Sequence, residues 1–219
     1  MLVICKINSL LLTFKYLLLT FKLLVKLIIH YSILTFKMNV RIIDNRLIKT
    51  IPGQNSRPTT SKVREALFNI WQGKIENCSW LDLCAGNGVM SAEALCRGAK
   101  EVIAIEKNPK AYKVTRNNLE NIVTSQQSCK VLKGDVLIYI KKLRKKSFDK
   151  IYFDPPYKSQ LYTPVLELIA QLNLLKENGE MAVEYDPKIW KEIDIKGLEI
   201  TRYKNYGKTS LVFYHRYSI

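Results

Sequence analysis

The segment Asp154-Pro155-Pro156-Tyr157 ends a strand-like run and combines a carboxylate, two prolines and a phenol. Pro156 restricts Pro155 to an extended conformation, so the Pro155 carbonyl points in a fixed direction beside the Asp154 carboxylate. Two oxygen acceptors next to an aromatic ring suit a planar ligand with an amino group. Each oxygen would accept a hydrogen bond from one N–H of the amino group, and Tyr157 would stack on the ring of the ligand. A rigid turn at the end of a strand is the alternative interpretation.

A second candidate site is the segment DLCAGNG at residues 82–88, which contains Asp82, Gly86 and Gly88 and follows an apolar run. Glycines between a strand and a helix let the backbone approach a ligand closely, and the helix N-terminus supplies free amides. Turns that bind dinucleotides have a third glycine where this chain has Ser91, so the sequence disfavours a dehydrogenase. A tight turn without a ligand is the structural alternative.

Two further acids each end a predicted strand. Glu106 ends the strand that follows the glycine turn, a position typical of an acid that accepts the hydroxyls of an adenosine ribose. Asp135 ends the next strand, where it would meet the adenine edge. The structural alternatives are a solvated or helix-capping acid for Glu106 and a helix N-cap for Asp135. Because the carboxyl ends of parallel strands meet at one edge, we expect both acids, the glycine turn and Asp154 to line one site.

Hydrophobic periodicity predicts the elements that position these residues. A buried strand that breaks into the glycine turn is predicted within 79–88, and further strands are predicted at 101–106, 130–135, 148–154, 180–185, 198–203 and 210–215. A helix capped by Thr60 or Ser61 is predicted within 57–71, and further helices are predicted at 89–98, 109–121, 136–146 and 161–174. Strand and helix alternate until a closing hairpin, so we predict an α/β fold. Its sheet is doubly wound, seven-stranded and mostly parallel, with a C-terminal antiparallel hairpin.

The charge of the chain indicates a polyanionic partner. Its 219 residues include 35 Lys and Arg against 19 Asp and Glu, which gives a formal net charge of +16. Such a balance favours nucleic acid over a membrane surface. Five cysteines without a C-x-x-C pair, together with two histidines, disfavour a metal site and indicate reduced cytoplasmic thiols. We therefore expect a cytoplasmic monomer without a metal ion.

Residues 1–37 differ in composition from the rest of the chain. They contain no acidic residue, repeat the phrases LLTFK, LLTFK and ILTFK, and place lysines within the apolar runs. No apolar run reaches the roughly 18–20 residues that span a bilayer. We expect translation to begin at Met38 and residues 1–37 to be dispensable, with a basic amphipathic membrane anchor as the alternative. Residues 38–219 would then form one domain, in which 38–78 is an N-terminal segment close to RNA and cofactor.

Together these motifs resemble a known family of enzymes. The arrangement resembles the S-adenosylmethionine-dependent methyltransferases of the class I, Rossmann-like fold, and Asp-Pro-Pro-Tyr resembles the signature of enzymes that methylate exocyclic amino groups. Four segments resemble the bacterial RsmD family: RPTTSKVREALFNIW (57–71), DLCAGNGVMSAEALCRGA (82–99), DKIYFDPPY (149–157) and YGKTSLVFY (206–214). The resemblance covers the chain from about residue 40, although Cys84 stands where phenylalanine is common in the family.

The resemblance implies methylation of N2 of a guanine in small-subunit (16S) ribosomal RNA, with S-adenosylmethionine as cofactor. The residues implied to bind the cofactor are Asp82, Ala85, Gly86, Gly88, Glu106, Lys107, Asp135, Val136 and Asp154. The residues implied to hold the guanine amino group are Asp154, Pro155, Pro156 and Tyr157.

Basic residues near the predicted site are candidates for phosphate contacts. These residues, from the segment before the glycine turn and from the last hairpin, are Arg57, Lys62, Arg64, Lys204 and Lys208. The run KKLRKK at 141–146 precedes the strand at 148–154, so we expect it at the opposite edge of the sheet as a solvated helix end.

Two other functions remain open from the sequence. A DNA methyltransferase acting on adenine N6 or cytosine N4 shares Asp-Pro-Pro-Tyr, but it usually carries a separate target-recognition region, for which residues 38–219 leave no room. A non-enzymatic RNA-binding assembly factor would keep the scaffold without turnover, and the intact motif argues against that loss.

Overall fold

The computed structural model describes residues 14–28, 39–51 and 61–217. The chain divides into two compact units, Met1–Asn39 and Val40–Ile219. Within the first unit, residues 14–28 are helical (α1). Among the described residues, no helix combines the length and apolar character needed to cross a membrane.

Two sequence predictions fall outside these ranges. The expected start at Met38 and the expected phosphate contact Arg57 both lie outside the described residues. The expectation that residues 1–37 are dispensable stays a prediction.

After α1, the described elements in chain order are β1 (Asn39–Arg41), a 3-10 turn (Ile43–Asn45), β2 (Leu47–Lys49), α2 (Ser61–Ile70), β3 (Ser79–Leu83), α3 (Val89–Cys96), β4 (Glu101–Glu106), α4 (Pro109–Glu120), β5 (Ser128–Lys133), α5 (Val136–Lys142), β6 (Phe148–Phe153), α6 (Tyr162–Gln171), β7 (Leu175–Tyr185), β8 (Leu198–Asn205) and β9 (Ser210–Arg216). Strands and helices alternate from β2 to β7, and two further strands follow.

Strands β3 to β9 form one seven-stranded sheet in the order β5-β4-β3-β6-β7-β9-β8. The five strands from β5 to β7 are parallel, and β9 runs antiparallel to both β7 and β8. The predicted doubly wound, mostly parallel sheet with its closing hairpin is confirmed. The strand order reverses between β3 and β6, and ligands of such sheets bind beyond the carboxyl ends of the strands at this point.

Both faces of the sheet are buried, which explains why its central strands are almost continuously apolar. On one face, Trp80 of β3 stacks on Phe68 of α2 with ring centroids 5.5 Å apart, and α3 and α4 residues complete this layer. On the other face, α5 and α6 pack on Leu81, Leu83 and Phe153. Alternate residues of β3 therefore serve the two halves of the core.

The boundaries of some elements differ from the prediction. β7 begins at Leu175 instead of 180, because its first part pairs with Phe148 before a register shift leads into the regular pairing at Glu180. β5 ends at Lys133 instead of 135, because Gly134 has a positive φ and turns the chain before α5. The hairpin of β1 and β2 was not predicted, since three-residue strands leave little periodicity to read.

Candidate active site

The turn between β3 and α3 adopts left-handed backbone at Cys84, Gly86 and Gly88, with φ of 66°, 59° and 75°. A Cβ on Gly88 would lie 2.6 Å from Thr115 Cγ2, so close packing against α4 requires glycine there. A Cβ on Gly86 would meet nothing within 4 Å. Gly86 therefore faces open space, as expected of a glycine that a ligand approaches.

Side chains of α4 hold this turn in place. Thr115 Oγ1 donates a hydrogen bond of 2.7 Å to the Gly86 carbonyl. Asn118 Nδ2 donates to the carbonyls of Asn87 at 2.9 Å and Lys49 at 3.0 Å. The sequence analysis missed Thr115 and Asn118, although polar residues on a buried helix face were the available signal.

Asp82 lies beneath the turn and not on its open side. The residue is 1 % exposed, and its carboxylate accepts a hydrogen bond of 2.6 Å from Ser91 Oγ. Burial raises the pKa of Asp82 to about 7. In this structure Asp82 supports the turn through Ser91, whose hydrogen bond to Asp82 accounts for a serine at the third-glycine position. The cofactor contact expected of Asp82 stays a prediction.

Glu106 lies at the end of β4, facing the same turn. Its Oε2 accepts from the Gly86 amide at 2.7 Å, and its Oε1 accepts from the Asn108 amide at 2.6 Å. Burial raises the pKa of Glu106. Asn108, and not Glu106, caps α4. A carboxylate offers about four lone-pair sites, so both oxygens of Glu106 can accept further hydroxyl groups.

Asp135 caps α5 and also forms an ion pair. Its Oδ1 accepts from the Leu137 amide at 3.0 Å, and its Oδ2 lies 3.1 Å from Lys107 Nζ. The hydrogen bond from Lys107 lowers the pKa of Asp135. Val136 begins α5 and is buried. The N-cap interpretation of Asp135 therefore holds, and the ion pair places Lys107 beside it.

The Asp154-Pro155-Pro156-Tyr157 segment forms a corner beyond β6. The Asp154 amide donates to the Leu83 carbonyl at 3.5 Å, which ties the corner to the start of the glycine turn. The Ser159 amide closes it by donating to the Pro156 carbonyl at 2.7 Å. Pro155 is buried and Pro156 is exposed. Among the described residues, no hydrogen bond goes to the Pro155 carbonyl.

Cys84 lies at the point where the predicted acids converge. Burial raises the pKa of its thiol, and four carboxylates raise it further. These carboxylates, one from the end of each of four neighbouring strands, are Glu106, Asp154, Asp82 and Asp135. The fold thus brings together four acids that are widely separated in sequence.

Tyr157 leans away from the corner toward β7 and the last hairpin. Its hydroxyl lies 3.2 Å from Glu184 Oε1 and 3.1 Å from Thr209 Oγ1. Burial, followed by the charge of Glu184, raises the pKa of Tyr157. Sequence analysis missed Glu184, whose signal was an acid within the apolar run EMAVEY.

Three of the predicted phosphate contacts are exposed and one is not. Lys62, Lys204 and Lys208 are exposed. The pairing of Ser210 with Tyr185 puts the β8–β9 turn at the carboxyl end of β7, the edge that also carries the corner. Arg64 is a correction: it is 4 % exposed, because its guanidinium pairs with Glu93 at 3.4 Å and donates to the Arg41 carbonyl at 2.7 Å.

The described part of the chain holds no cluster of three or more His, Cys, Asp or Glu side chains that could bind a metal ion. Its four cysteines are free thiols: Cys78, Cys84, Cys96 and Cys129.

The sheet order, the glycine turn and the acids at its carboxyl edge define the class of protein. They are those of the class I methyltransferase fold. The family model described as Conserved hypothetical protein 95 matches residues 40–215. The chain belongs to this family, the RsmD family of methyltransferases.

Sequence relatives carry a consistent name. A Buchnera aphidicola (subsp. Baizongia pistaciae) protein named Ribosomal RNA small subunit methyltransferase D is 34% identical over 150 residues, which are 68% of this chain and 75% of that relative. The protein of the same name from Haemophilus influenzae is 29% identical over 169 residues, covering 74% and 88%.

Solved structures share the fold. A conserved hypothetical protein from Streptococcus pyogenes is 30% identical with a TM-score of 0.63, covering 71% of this chain and 96% of that one. HI0767 from Haemophilus influenzae is 27% identical with a TM-score of 0.68, covering 82% and 99%. SMU.776, which was crystallised in complex with SAH, is 16% identical with a TM-score of 0.54, covering 70% and 48%.

Proposed function

We propose that this chain uses S-adenosylmethionine to methylate the exocyclic N2 amino group of a guanine in small-subunit ribosomal RNA. Relatives that are named small-subunit ribosomal RNA methyltransferases support the class of substrate. The Asp154-Pro155-Pro156-Tyr157 corner at the carboxyl edge supports the chemistry on an amino group.

The carboxyl edge offers groups that suit each part of the cofactor. The open space at Gly86 would let the cofactor approach the protein backbone closely. Glu106 has acceptor capacity for a ribose diol. The Lys107–Asp135 pair and Val136 border the position expected for the adenine. When bound, S-adenosylmethionine supplies an electrophilic methyl group, so the protein must provide alignment more than a strong acid or base.

The corner would hold the amino group that accepts the methyl. The lone pair of an aryl amine is delocalised into the ring, which makes the nitrogen a poor nucleophile. Asp154 Oδ and the Pro155 carbonyl would each accept a hydrogen bond from one N–H of the amino group. These two hydrogen bonds favour a pyramidal nitrogen, whose lone pair is then free to react. Tyr157 would stack on the base, and the base must be unpaired or flipped out to reach it.

Exposed cations around this edge would contact the RNA backbone. Lys204 and Lys208 flank the turn between β8 and β9, and Lys62 lies in the first turn of α2. Phosphate contacts from lysines position RNA without reading its sequence. The net charge of +16 favours such binding.

A single observation carries the proposal. The acceptor corner hydrogen-bonds to the strand that begins the glycine turn, through the Asp154 amide and the Leu83 carbonyl. A donor molecule in the glycine turn and an amino group at the corner would therefore be neighbours at one switch point of the sheet.

Methylation of ribosomal RNA in vitro tests the proposal. Purified protein is incubated with small-subunit particles and with protein-free RNA in the presence of labelled S-adenosylmethionine, and the digested nucleosides are identified by mass spectrometry. We expect N2-methylguanosine. N6-methyladenosine, N4-methylcytidine or no labelled nucleoside would contradict the assigned chemistry, and comparison of the two substrates identifies the physical form of RNA that is used.

A further inference from the structure

Glu184 of β7 is a buried acid at the carboxyl edge, beside the acceptor corner. The residue is 3 % exposed. Its carboxylate accepts hydrogen bonds from the Tyr152 hydroxyl at 2.5 Å and from the Tyr157 hydroxyl at 3.2 Å. A buried carboxylate costs free energy unless it is well hydrogen-bonded. The two phenols supply these hydrogen bonds to Glu184, and the presence of an acid at this buried position calls for a physical reason.

Thr209 completes the surroundings of the Tyr157 hydroxyl. Its Oγ1 lies 3.1 Å from that hydroxyl, and Thr209 is 2 % exposed. Thr209 immediately precedes β9, which pairs with β7 along Glu184–Leu211. The Tyr157 hydroxyl is thus held by a residue of β7 and by the residue that precedes β9, while the Tyr157 backbone belongs to the corner after β6.

We propose that Glu184 and Thr209 are positioning residues that set the orientation of the Tyr157 ring for stacking on the target base. This inference rests on the proposed function, in which Tyr157 contacts the guanine. Neither Glu184 nor Thr209 needs to touch the substrate: both act through the Tyr157 hydroxyl.

The sheet explains how the orientation is kept. Tyr152 and Glu184 come from the adjacent parallel strands β6 and β7, which are held by regular backbone pairing. A second buried contact, from the Tyr162 hydroxyl to the Glu184 carbonyl at 3.2 Å, fixes the same stretch of β7. The carboxylate is therefore a rigid support, and a ring held by a rigid support needs less ordering when the base binds.

The turn beside Thr209 gives the arrangement a further consequence. Lys208, a proposed phosphate contact, precedes Thr209 directly. A phosphate bound at this turn would therefore lie one residue from the hydroxyl group that supports Tyr157. RNA backbone binding and ring orientation are in this way built on the same hairpin.

Glu184→Gln tests the proposal, with Glu180→Gln as a matched control. Glu180 is a second acid of β7, is also 3 % exposed, and lies toward the amino edge, where Trp71 Nε1 donates to it at 2.6 Å. We expect Glu184→Gln to lower kcat about 10-fold through misorientation, while the KM for S-adenosylmethionine changes less than about 2-fold. Glu180→Gln should keep kcat within about 2-fold when both variants are assayed well below their melting temperatures.

A double-mutant cycle shows whether Glu184 acts through the phenol. Tyr157→Phe keeps the ring and removes its hydroxyl. If Glu184 acts through that hydroxyl, the double variant loses no more kcat than the more impaired single variant. Fully additive losses, an unchanged kcat in Glu184→Gln, or an equal loss in Glu180→Gln would each overturn the inference.

A readout without substrate separates this inference from the proposed function. In protein labelled with 13C-tyrosine, we expect the Tyr157 ring signal, assigned by its absence in Tyr157→Phe, to show faster ring flipping in Glu184→Gln than in Glu180→Gln. Unchanged ring motion in Glu184→Gln overturns the positioning role even if the wild-type protein methylates RNA. Absence of RNA methylation by the wild-type protein overturns the proposed function even if the ring motion changes as expected.

Discussion

The two edges of the central sheet use polar residues in opposite ways. At the amino edge, Glu180 accepts a hydrogen bond of 2.6 Å from Trp71 Nε1 and lies 3.6 Å from Lys150 Nζ and 3.2 Å from His215 Nε2. At the carboxyl edge, Gly86 faces open space, and within the described ranges the Pro155 carbonyl accepts no hydrogen bond. The polar groups named at the first edge pair with one another, whereas the second edge keeps a carbonyl and an open glycine turn that we propose are used by ligands.

A second network at the amino edge follows the same pattern. Asp149 Oδ2 accepts from Ser79 Oγ at 2.6 Å and from Lys176 Nζ at 2.7 Å, which joins β3, β6 and β7 at one end. The exposed basic residues of KKLRKK lie at this edge too, where Lys146 pairs with Glu101 at the start of β4. We therefore propose that the amino edge serves stability and the carboxyl edge serves chemistry.

Asp154→Ala should have the largest effect of the variants that probe this difference. We expect kcat to fall about 10³-fold, because one of two acceptors for the amino group is lost, while the Kd of S-adenosylmethionine stays within about 3-fold. Measurements are single-turnover methyl transfer and isothermal titration calorimetry. Asp154→Asn, which keeps an acceptor oxygen, is the control and should retain more activity. Unchanged turnover in Asp154→Ala would remove Asp154 from the mechanism.

Lys150→Ala probes the amino edge. Lys150 is 4 % exposed, and its loss leaves Glu180 buried with less compensation. We expect the free energy of unfolding in urea to fall by about 3 kcal/mol, with kcat per folded molecule unchanged. A loss of kcat as large as that of Asp154→Ala would show that the two edges are not separable in function.

Substitutions of the two glycines of the turn should change the free energy of unfolding by a smaller amount, and only one of them should weaken cofactor binding. Gly88→Ala meets both a positive φ and Thr115, so we expect it to lower the free energy of unfolding by about 2 kcal/mol. Gly86→Ala meets the positive φ alone, so we expect a loss of about 1 kcal/mol together with weaker S-adenosylmethionine binding. Thermal unfolding and calorimetry measure both. Equal cofactor affinity in wild type and Gly86→Ala would contradict ligand approach at Gly86.

The buried Asp82 carries a prediction about the pH dependence of stability. Its pKa is about 7 in the folded protein against an ordinary 3.8, so the folded state holds a proton that the unfolded state has released. Stability should therefore fall as the pH rises from about 4 to about 7, and Asp82→Asn should lack this component. Urea unfolding of both proteins at several pH values measures the difference. Parallel pH profiles would contradict the buried, proton-holding Asp82.

The fold and the residues of the corner could be predicted from the sequence because their signals are local. The alternation of strands and helices predicts the sheet. The motif Asp-Pro-Pro-Tyr can be recognised in the sequence without knowledge of the residues that surround it in the fold. Glu106 followed from its place at the end of a strand, since parallel strands bring their ends together.

What the sequence could not show depends on contacts between distant segments. Arg64 reads as a surface cation, but Glu93 and the Arg41 carbonyl bury it. Ser91 reads as a lost glycine, but its hydroxyl satisfies Asp82. The link from Glu184 to Tyr157 joins residues that α6 separates along the chain. No local pattern encodes these pairings, because each depends on how the chain folds around the sheet.

The most direct test of the acceptor corner is a crystal structure of the protein with S-adenosylhomocysteine. The account predicts that the sulfur atom faces the space between Asp154 Oδ and the Pro155 carbonyl, with the ribose hydroxyls on Glu106. A sulfur atom directed away from that corner, or a corner filled by the protein's own side chains, would contradict the account.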